Sequence, residues 1–328
     1  MNAIVTLDNN PRRQRLTRLG QRAAVRLGGA VLVLWAVATL TFFALRLMPG
    51  DPVLAILGGP SGNPTPETIA AATHEFGLDR PLPVQYGLYL WKLVQGDLGV
   101  SYSKHQPVTQ VLAEQSGATL ELLVAALVLA WLLVLGWTLV TAGRRSWLSQ
   151  VGSLAEPVAA ALPQFWLAIV LLTVFAFGLR WFPPAGSDGL ATLVLPALAL
   201  AFPLAGFIGQ VTRESLEQAL EQPFVLTART RGLSDLAVRF KHALRHAILP
   251  GVSLSGWAIG ALISGAVVVE VIFSRKGLGR QLYQAVQAQD LPLTIGISLV
   301  VAAGYVLTNI LIDLLYDWID PRLAEQRP

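Results

Sequence analysis

LLVAALVLAWLLVLGWTLVTA, residues 122–142, is a run of 21 residues without Asp, Glu, Lys or Arg. As an α-helix it would be about 31 Å long, which matches the hydrocarbon thickness of a bilayer. Five more stretches meet the same test: 27–45, 157–179, 190–211, 247–269 and 291–312. Gly136, Pro163, Pro196, Pro203 and Gly260 fall inside them. Membrane helices tolerate such residues because neighbouring helices satisfy the freed backbone groups. The runs predict an all-α polytopic membrane protein with six transmembrane helices.

Composition agrees. Of 328 residues 54% are hydrophobic and 13% charged, with a mean hydropathy of +0.56. Soluble domains carry about 25% charged residues. The net charge of +4 does not mark a nucleic-acid partner, because the basic residues sit in short blocks between apolar runs. With no cysteine, thiolate metal sites and cysteine nucleophiles are excluded.

Lys and Arg set the orientation. With the N-terminus inside, sixteen of the 24 lie on the inner side, among them Arg12, Arg13, Arg15, Arg18, Arg22 and Arg26, and the pair Arg144 and Arg145. The other eight, including Arg46, Arg80, Lys92 and Arg275, lie outside. Both termini are therefore expected in the cytoplasm. The 27–45 run is too long for a usual signal-peptide core and no A-x-A-like site follows it, so it reads as an uncleaved first span. The expected organisation is a basic cytoplasmic N-terminus (1–26), the first span (27–45) and an extracytoplasmic region (46–121). A five-helix core (122–312) containing a cytoplasmic loop (213–246) follows, then a cytoplasmic end (313–328). The outer region alternates short helical patterns with Pro and Gly breaks, which predicts a small structured element.

The inner loop reads RESLEQALEQPFVLTARTRGLSDLAVRFKHALRHAILP over residues 213–250. Pro223 and Gly232 divide it, and Ser234 can cap a helix beginning near Asp235. Leu236, Phe240, Leu244 and Ala247 recur at helical spacing, with Arg239, His242 and His246 in a second row and Lys241 and Arg245 in a third. Such a basic amphipathic helix fits two roles: a helix lying on an anionic membrane surface, or a lever inserted into a cytoplasmic partner. Composition leaves both open.

Chemistry of other kinds is missing from the pattern. No G-x-x-x-x-G-K-[ST] run is present to cradle phosphates. His242 and His246 have metal-compatible i, i+4 spacing without the glutamate of H-E-x-x-H, and read as parts of a basic face. No metal site and no catalytic residues are predicted. Ionisable groups flank the spans at Glu121, Glu156, Glu270 and Asp313, and Asn309 shares a helix face with Asp313. They read as interface groups paired with neighbours or as pathway-lining polar groups. Gln164, in Pro163-Gln164-Phe165-Trp166, marks a kink or a polar spot in the third span.

The stretch FVLTARTRGLSDLAVRFKHALRHAILP (224–250) resembles the EAA loop of binding-protein-dependent ABC importer permeases, specifically the dipeptide/oligopeptide/nickel class. The similar positions are Thr227, Ala228, Arg229, Gly232 and Leu233, then His242 to Arg245, and Leu249 with Pro250. RLMPGDPV (46–53), GLDRPLPVQY (77–86), GDLGVSY (96–102), ATLELLVAALVL (118–129), LPQFWLAIVLL (162–172), GALISGAVVVEVIFSRKGLGR (260–280) and DLLYDWIDPR (313–322) extend the resemblance in order over nearly the whole chain after about residue 25. Pro223 and Lys276 depart from the class pattern, where an acidic residue and a proline are common.

The resemblance implies a channel-forming permease of the prokaryotic inner membrane. It would work beside a second homologous permease, two cytoplasmic ATPase subunits that hold the ATP and Mg, and an extracytoplasmic substrate-binding protein. The inner loop would be the coupling element, with the helix at 227–231, including Arg231, against an ATPase and Gly232 at an elbow. Expected cargo is peptides, with nickel or metal-chelator complexes as the class alternative. A secondary transporter or channel without ATPases is the competing function; it would favour internal repeats and midplane charges, and neither is seen here.

Overall fold

The computed structural model describes residues 11–57, 64–143 and 147–319, apart from the side chains of 11–23, 55, 257 and 312–319. Arg144 and Arg145, the side chain of Asp313 and the chain beyond 319 lie outside the described residues. Among the described residues the secondary structure is helical, with one isolated bridge between Val100 and Pro107. The fold is an all-α polytopic membrane architecture, as the apolar runs predict.

In chain order the helices are α1 (Pro11–Leu47), α2 (Pro52–Ile56), α3 (Pro66–Glu75), α4 (Leu82–Val94), α5 (Val108–Thr141), α6 (Trp147–Ala161) and α7 (Gln164–Leu171). Next come α8 (Leu190–Leu220), α9 (Pro223–Thr230), α10 (Asp235–Val238), α11 (Leu244–Ile272), α12 (Leu278–Gln287) and α13 (Leu291–Ile319). Four helices are long and apolar enough to cross a membrane singly, in α1, α5, α8 and α13. Two bent pairs raise the number to six if each crosses once.

The third apolar stretch, expected as one span over 157–179, is one of these pairs. α6 starts earlier, at Trp147, and α7 continues as a π-helical segment to Gly178, with a 100° bend between them. Leu162 and Pro163 form the break. Proline has no N–H to continue the ladder, and it pushes the residue before it out of the helical region. The second pair bends by 51° between Gly256 and Ala258.

α8 is the central helix. Its apolar face packs on α5, α7 and α11 through Leu122, Ala126, Ala168, Leu200, Leu204, Ile208, Leu262 and Ala266. Small residues set the spacing: a Cβ on Gly206 would lie 2.5 Å from the Ala160 nitrogen and 2.6 Å from the Glu156 carbonyl, so only glycine lets α8 cross α6 backbone to backbone. α1 is peripheral and joins through Ala38, Phe42 and Leu45 against Leu291 and Ile295 of α13. Its remaining apolar side chains, such as Leu32, Trp35 and Leu40, stay exposed. That outward apolar face suits lipid.

Candidate functional site

α8 and α11 are joined by the segment that carries Gly232. α9 starts with Pro223 in its first turn, where a missing N–H costs nothing. It ends in a Schellman motif: Leu233 N donates to the Ala228 carbonyl (3.3 Å) and Gly232 N to the Arg229 carbonyl (3.0 Å). This closure needs a left-handed residue after the cap, and Gly232 supplies it with φ +82°. Ser234 then caps α10, accepting from Ala237 N at 3.3 Å. The elbow between two capped helices is therefore two residues long, Gly232 and Leu233.

One face of this elbow is buried. Val225 and Ala228 of α9 pack on Val238. The opposite face presents Leu226, Leu233, Leu236 and Phe240 to the outside, with Leu226 at 68% and Phe240 at 64% exposed, beside exposed Thr227, Arg229 and Arg231. The expected apolar row Leu236–Phe240–Leu244–Ala247 is thus not one face. A π-helical turn, Arg239–Ala243, separates α10 from α11. The wider turn shifts the phase, so that the buried positions run Val238, Ala243, Ala247 and the first two predicted positions are left outside. The same shift turns Arg239 inward to 2% exposure, away from the basic row predicted for it. His242 is half-buried, His246 stacks obliquely on Phe224 at 5.3 Å, and Arg245 donates to His246 at 3.2 Å. Pro250 does not end the helix; α11 runs through it.

Two buried cations tie the segment to the bundle. The Arg239 Nε donates to Asp235 Oδ2 at 2.7 Å and its Nη1 to the Ala142 carbonyl at 2.5 Å. Asp235 Oδ1 also accepts from Arg229 Nη2 at 3.1 Å. In α8, Arg213 forms a bidentate pair with Glu156 of α6, both contacts 2.8 Å, and donates to Thr141 Oγ1 of α5 at 2.5 Å. Glu217, one turn on, accepts from Gly143 N at 3.0 Å. Sequence reasoning placed Glu156 and Arg213 at span ends but did not pair them; 57 residues separate them. No local signal pairs them; the guanidinium lies against Gly152 of α6, where a Cβ would be 2.4 Å from Arg213 Nη2.

The other end of the bundle is organised around Glu270, which is fully buried. Its carboxylate accepts from Thr119 Oγ1 of α5 (2.6 Å) and from the Gly279 and Arg280 nitrogens (2.8 and 3.1 Å). It therefore caps the N-terminus of α12, where orphan N–H groups favour an anion. Arg275, buried in the preceding loop, donates to Glu121 at 2.5 Å. Lys276 N donates to Ser187 Oγ at 2.6 Å, so this departure from the class pattern is accommodated by a backbone contact. A cavity of about 1070 Å³ lies between α1, α3, α4 and the 96–107 loop, lined by Arg46, Arg80, Lys92 and Tyr102 among others. Burial pushes the Tyr102 phenol up to about 12, with Arg46 opposing and Asp290 adding.

Of the remaining predicted polar residues, Gln164 opens α7 at the break, and its amide lies against Gly265 of α11, where a Cβ would be 1.8 Å from its Oε1 and would displace it. Asn309 is exposed and donates to the Tyr305 carbonyl at 3.0 Å. The structure does not bring Gln164, Glu270 and Asn309 into one cluster of hydrogen bonds. Among the described residues no group of acidic and histidine side chains is arranged to hold a metal.

Comparison with known proteins gives two family matches. Residues 132–325 match the binding-protein-dependent transport system inner membrane component, and residues 22–123 match the N-terminal part of the same kind of membrane component. A protein of Brucella suis biovar 1 (strain 1330), named as a peptide transport system permease, is 38% identical over 308 residues, covering 91% of this chain and 97% of its own. The glutathione transport system permease protein GsiC of Salmonella typhimurium (strain LT2) is 33% identical over 301 residues, covering 91% and 97%.

Proposed function

The chain belongs to the family of binding-protein-dependent transport system inner membrane components, and from that premise we propose that it is one half of a translocation path for peptide-like cargo, driven by ATPases that dock on the Gly232 elbow. As a permease subunit of an ABC importer it sits in the inner membrane. A second permease would complete the path, two ATPase subunits would bind at the Gly232 end, and a substrate-binding protein would deliver cargo at the Glu270 end. ATP and Mg would be held by the ATPases. Both termini would be cytoplasmic.

One observation carries the coupling role. A compact elbow, held from within by Val225, Ala228 and Val238, leaves four large apolar side chains outside at one end of the bundle. Leu226, Leu233, Leu236 and Phe240 form a knob that a groove on a soluble partner can bury, and fully covering such a side chain is worth about 1.5–3 kcal/mol. A helix lying flat on lipid would hold its apolar face along one side of a regular helix; here a π turn and a left-handed glycine break the face into a knob. The names of the relatives favour peptides, glutathione being itself a tripeptide, over nickel or a metal chelate.

The test uses the whole importer in inside-out and right-side-out vesicles. Uptake of a labelled di- or tripeptide is expected to need ATP, both ATPases and the binding protein. Uptake with the permeases alone would sink the reading, and uptake of nickel in place of peptide would overturn the cargo. Because the chain has no cysteine, single cysteines report topology cleanly. Ser103→Cys is expected to label from outside and Ser234→Cys from inside; the reverse would overturn the orientation.

A further inference from the structure

Docking at an elbow moves nothing unless some element carries the motion into the spans, and the structure supplies a candidate that rests on the reading above. Arg239 is 2% exposed, yet it carries a charge and stands at the first position of the π turn between the docking loop and α11. Its guanidinium spans two elements. One nitrogen binds Asp235, whose other oxygen is held by Arg229 of α9. A second binds the carbonyl of Ala142, 97 residues away, at the C-cap of α5. The last carbonyls of a helix lack intrahelical donors and carry the negative end of its dipole. Arg239 therefore caps α5 from another part of the chain. Apolar packing closes the same joint, since Ala142 meets Leu216, Ala219, Ala243 and Ala247.

α5 can carry a displacement delivered there. It is one helix from Val108 to Thr141 with no proline in it, whereas α8 contains Pro196 and Pro203 and α11 contains Pro250. Well along α5 toward its other end, the Thr119 hydroxyl binds Glu270, and Glu121 binds Arg275. A single rod thus joins the docking loop at its C-terminal end to the Glu270–α12 cap farther along it.

We propose that Arg239 is a positioning residue for transport: it grips the end of α5 and transmits the movement of the docking loop to the Glu270 end of the bundle. It touches neither cargo nor nucleotide. Its removal should leave the exposed knob intact and cut the link behind it.

The test is Arg239→Met in the complete importer reconstituted in liposomes, scored by ATPase retention, ATP hydrolysis and peptide uptake. ATPases should stay bound and hydrolysis should stay within about twofold of the parent, while uptake falls about tenfold or more, as the loss of hydrogen bonds to a charged group allows. ATP used per peptide therefore rises well above the parent value. Arg239→Lys, which keeps the cation but cannot reach both acceptors with a planar fork, should recover part of the uptake. Should Arg239→Met fail to accumulate, Arg239→Lys is scored by the same ratio and must exceed the parent. An unchanged ratio, or loss of the ATPases from the complex, would overturn the proposal, the latter by making Arg239 a determinant of docking shape. Failure of the importer reading itself would show in the parent complex, as uptake that needs no ATPase.

Discussion

Gly232→Val is expected to abolish ATP-driven uptake while the protein still inserts in the membrane and accumulates. The Schellman closure of α9 demands a left-handed residue at 232, and φ there is +82°. Space is not the obstacle, since a Cβ at this position would meet no atom within 4 Å. The obstacle is the backbone: a β-branched residue in such a region costs about 1–3 kcal/mol. The elbow has few contacts to set against that cost, so it will rearrange and not hold the strain. α9 would swing, and Leu226 and Leu233 would leave their places in the knob. The spans themselves pack through α5, α8 and α11 and do not depend on this residue. Gly232→Asn provides the control, because asparagine tolerates the left-handed region and should retain much of the uptake. Peptide uptake and co-purification of the ATPase are measured together. Parent-like values of both in Gly232→Val would mean that the loop is not the docking element.

Arg213→Met is expected to give the largest loss of stability. The guanidinium is 5% exposed and so is its partner Glu156, and the pair joins α6 to α8 with Thr141 of α5 as a third contact. Removing the cation alone leaves a buried carboxylate beside Gly209 without a counter-charge, a change that costs about 3–5 kcal/mol in buried pairs. Replacing both members, as Glu156→Gln with Arg213→Met, removes the stranded charge and should return much of the loss. Midpoints of thermal unfolding in detergent, read by size-exclusion profile, check this. Equal midpoints for the single and double variants would show that the carboxylate finds another partner or a proton at no cost. The comparison also separates this pair from Arg239, whose loss should change coupling far more than the midpoint.

Much of the architecture is legible in one dimension because the bilayer imposes a simple rule on every span. Residues 122–142 need only be apolar over about 20 positions to be read as crossing, and all but the last, the C-cap Ala142, lie within α5. The elbow was legible too: Pro223, Gly232 and Ser234 each act on the backbone next to them, and α9, the left-handed glycine and the capped α10 follow in that order. Local rules failed where the helix changed type. The heptad-like row from Leu236 to Ala247 assumes a constant turn, and the π turn at Arg239–Ala243 shifts it. No residue in RFKHA announces that turn, and the inward place of Arg239 shows only through its bonds to Asp235 and to distant Ala142.

The sequence by itself determined the apolar spans, the break at Pro163 and the elbow at Gly232, because each follows from forces acting within a few residues of the chain or between the chain and its solvent. Tertiary structure alone decided which charges are buried and with whom. Arg213 could have been one more cytoplasmic arginine, and Glu156 and Glu270 could have been span-end carboxylates in contact with water. Their roles were set when α8 closed on α6 across Gly206 and when the loop after α11 folded back over Glu270. A buried charge survives only opposite a partner; Arg213 and Glu156 meet across 57 residues, and Glu270 adds distant Thr119 to the nearby Gly279 and Arg280 nitrogens, so folding and not local sequence completes each site.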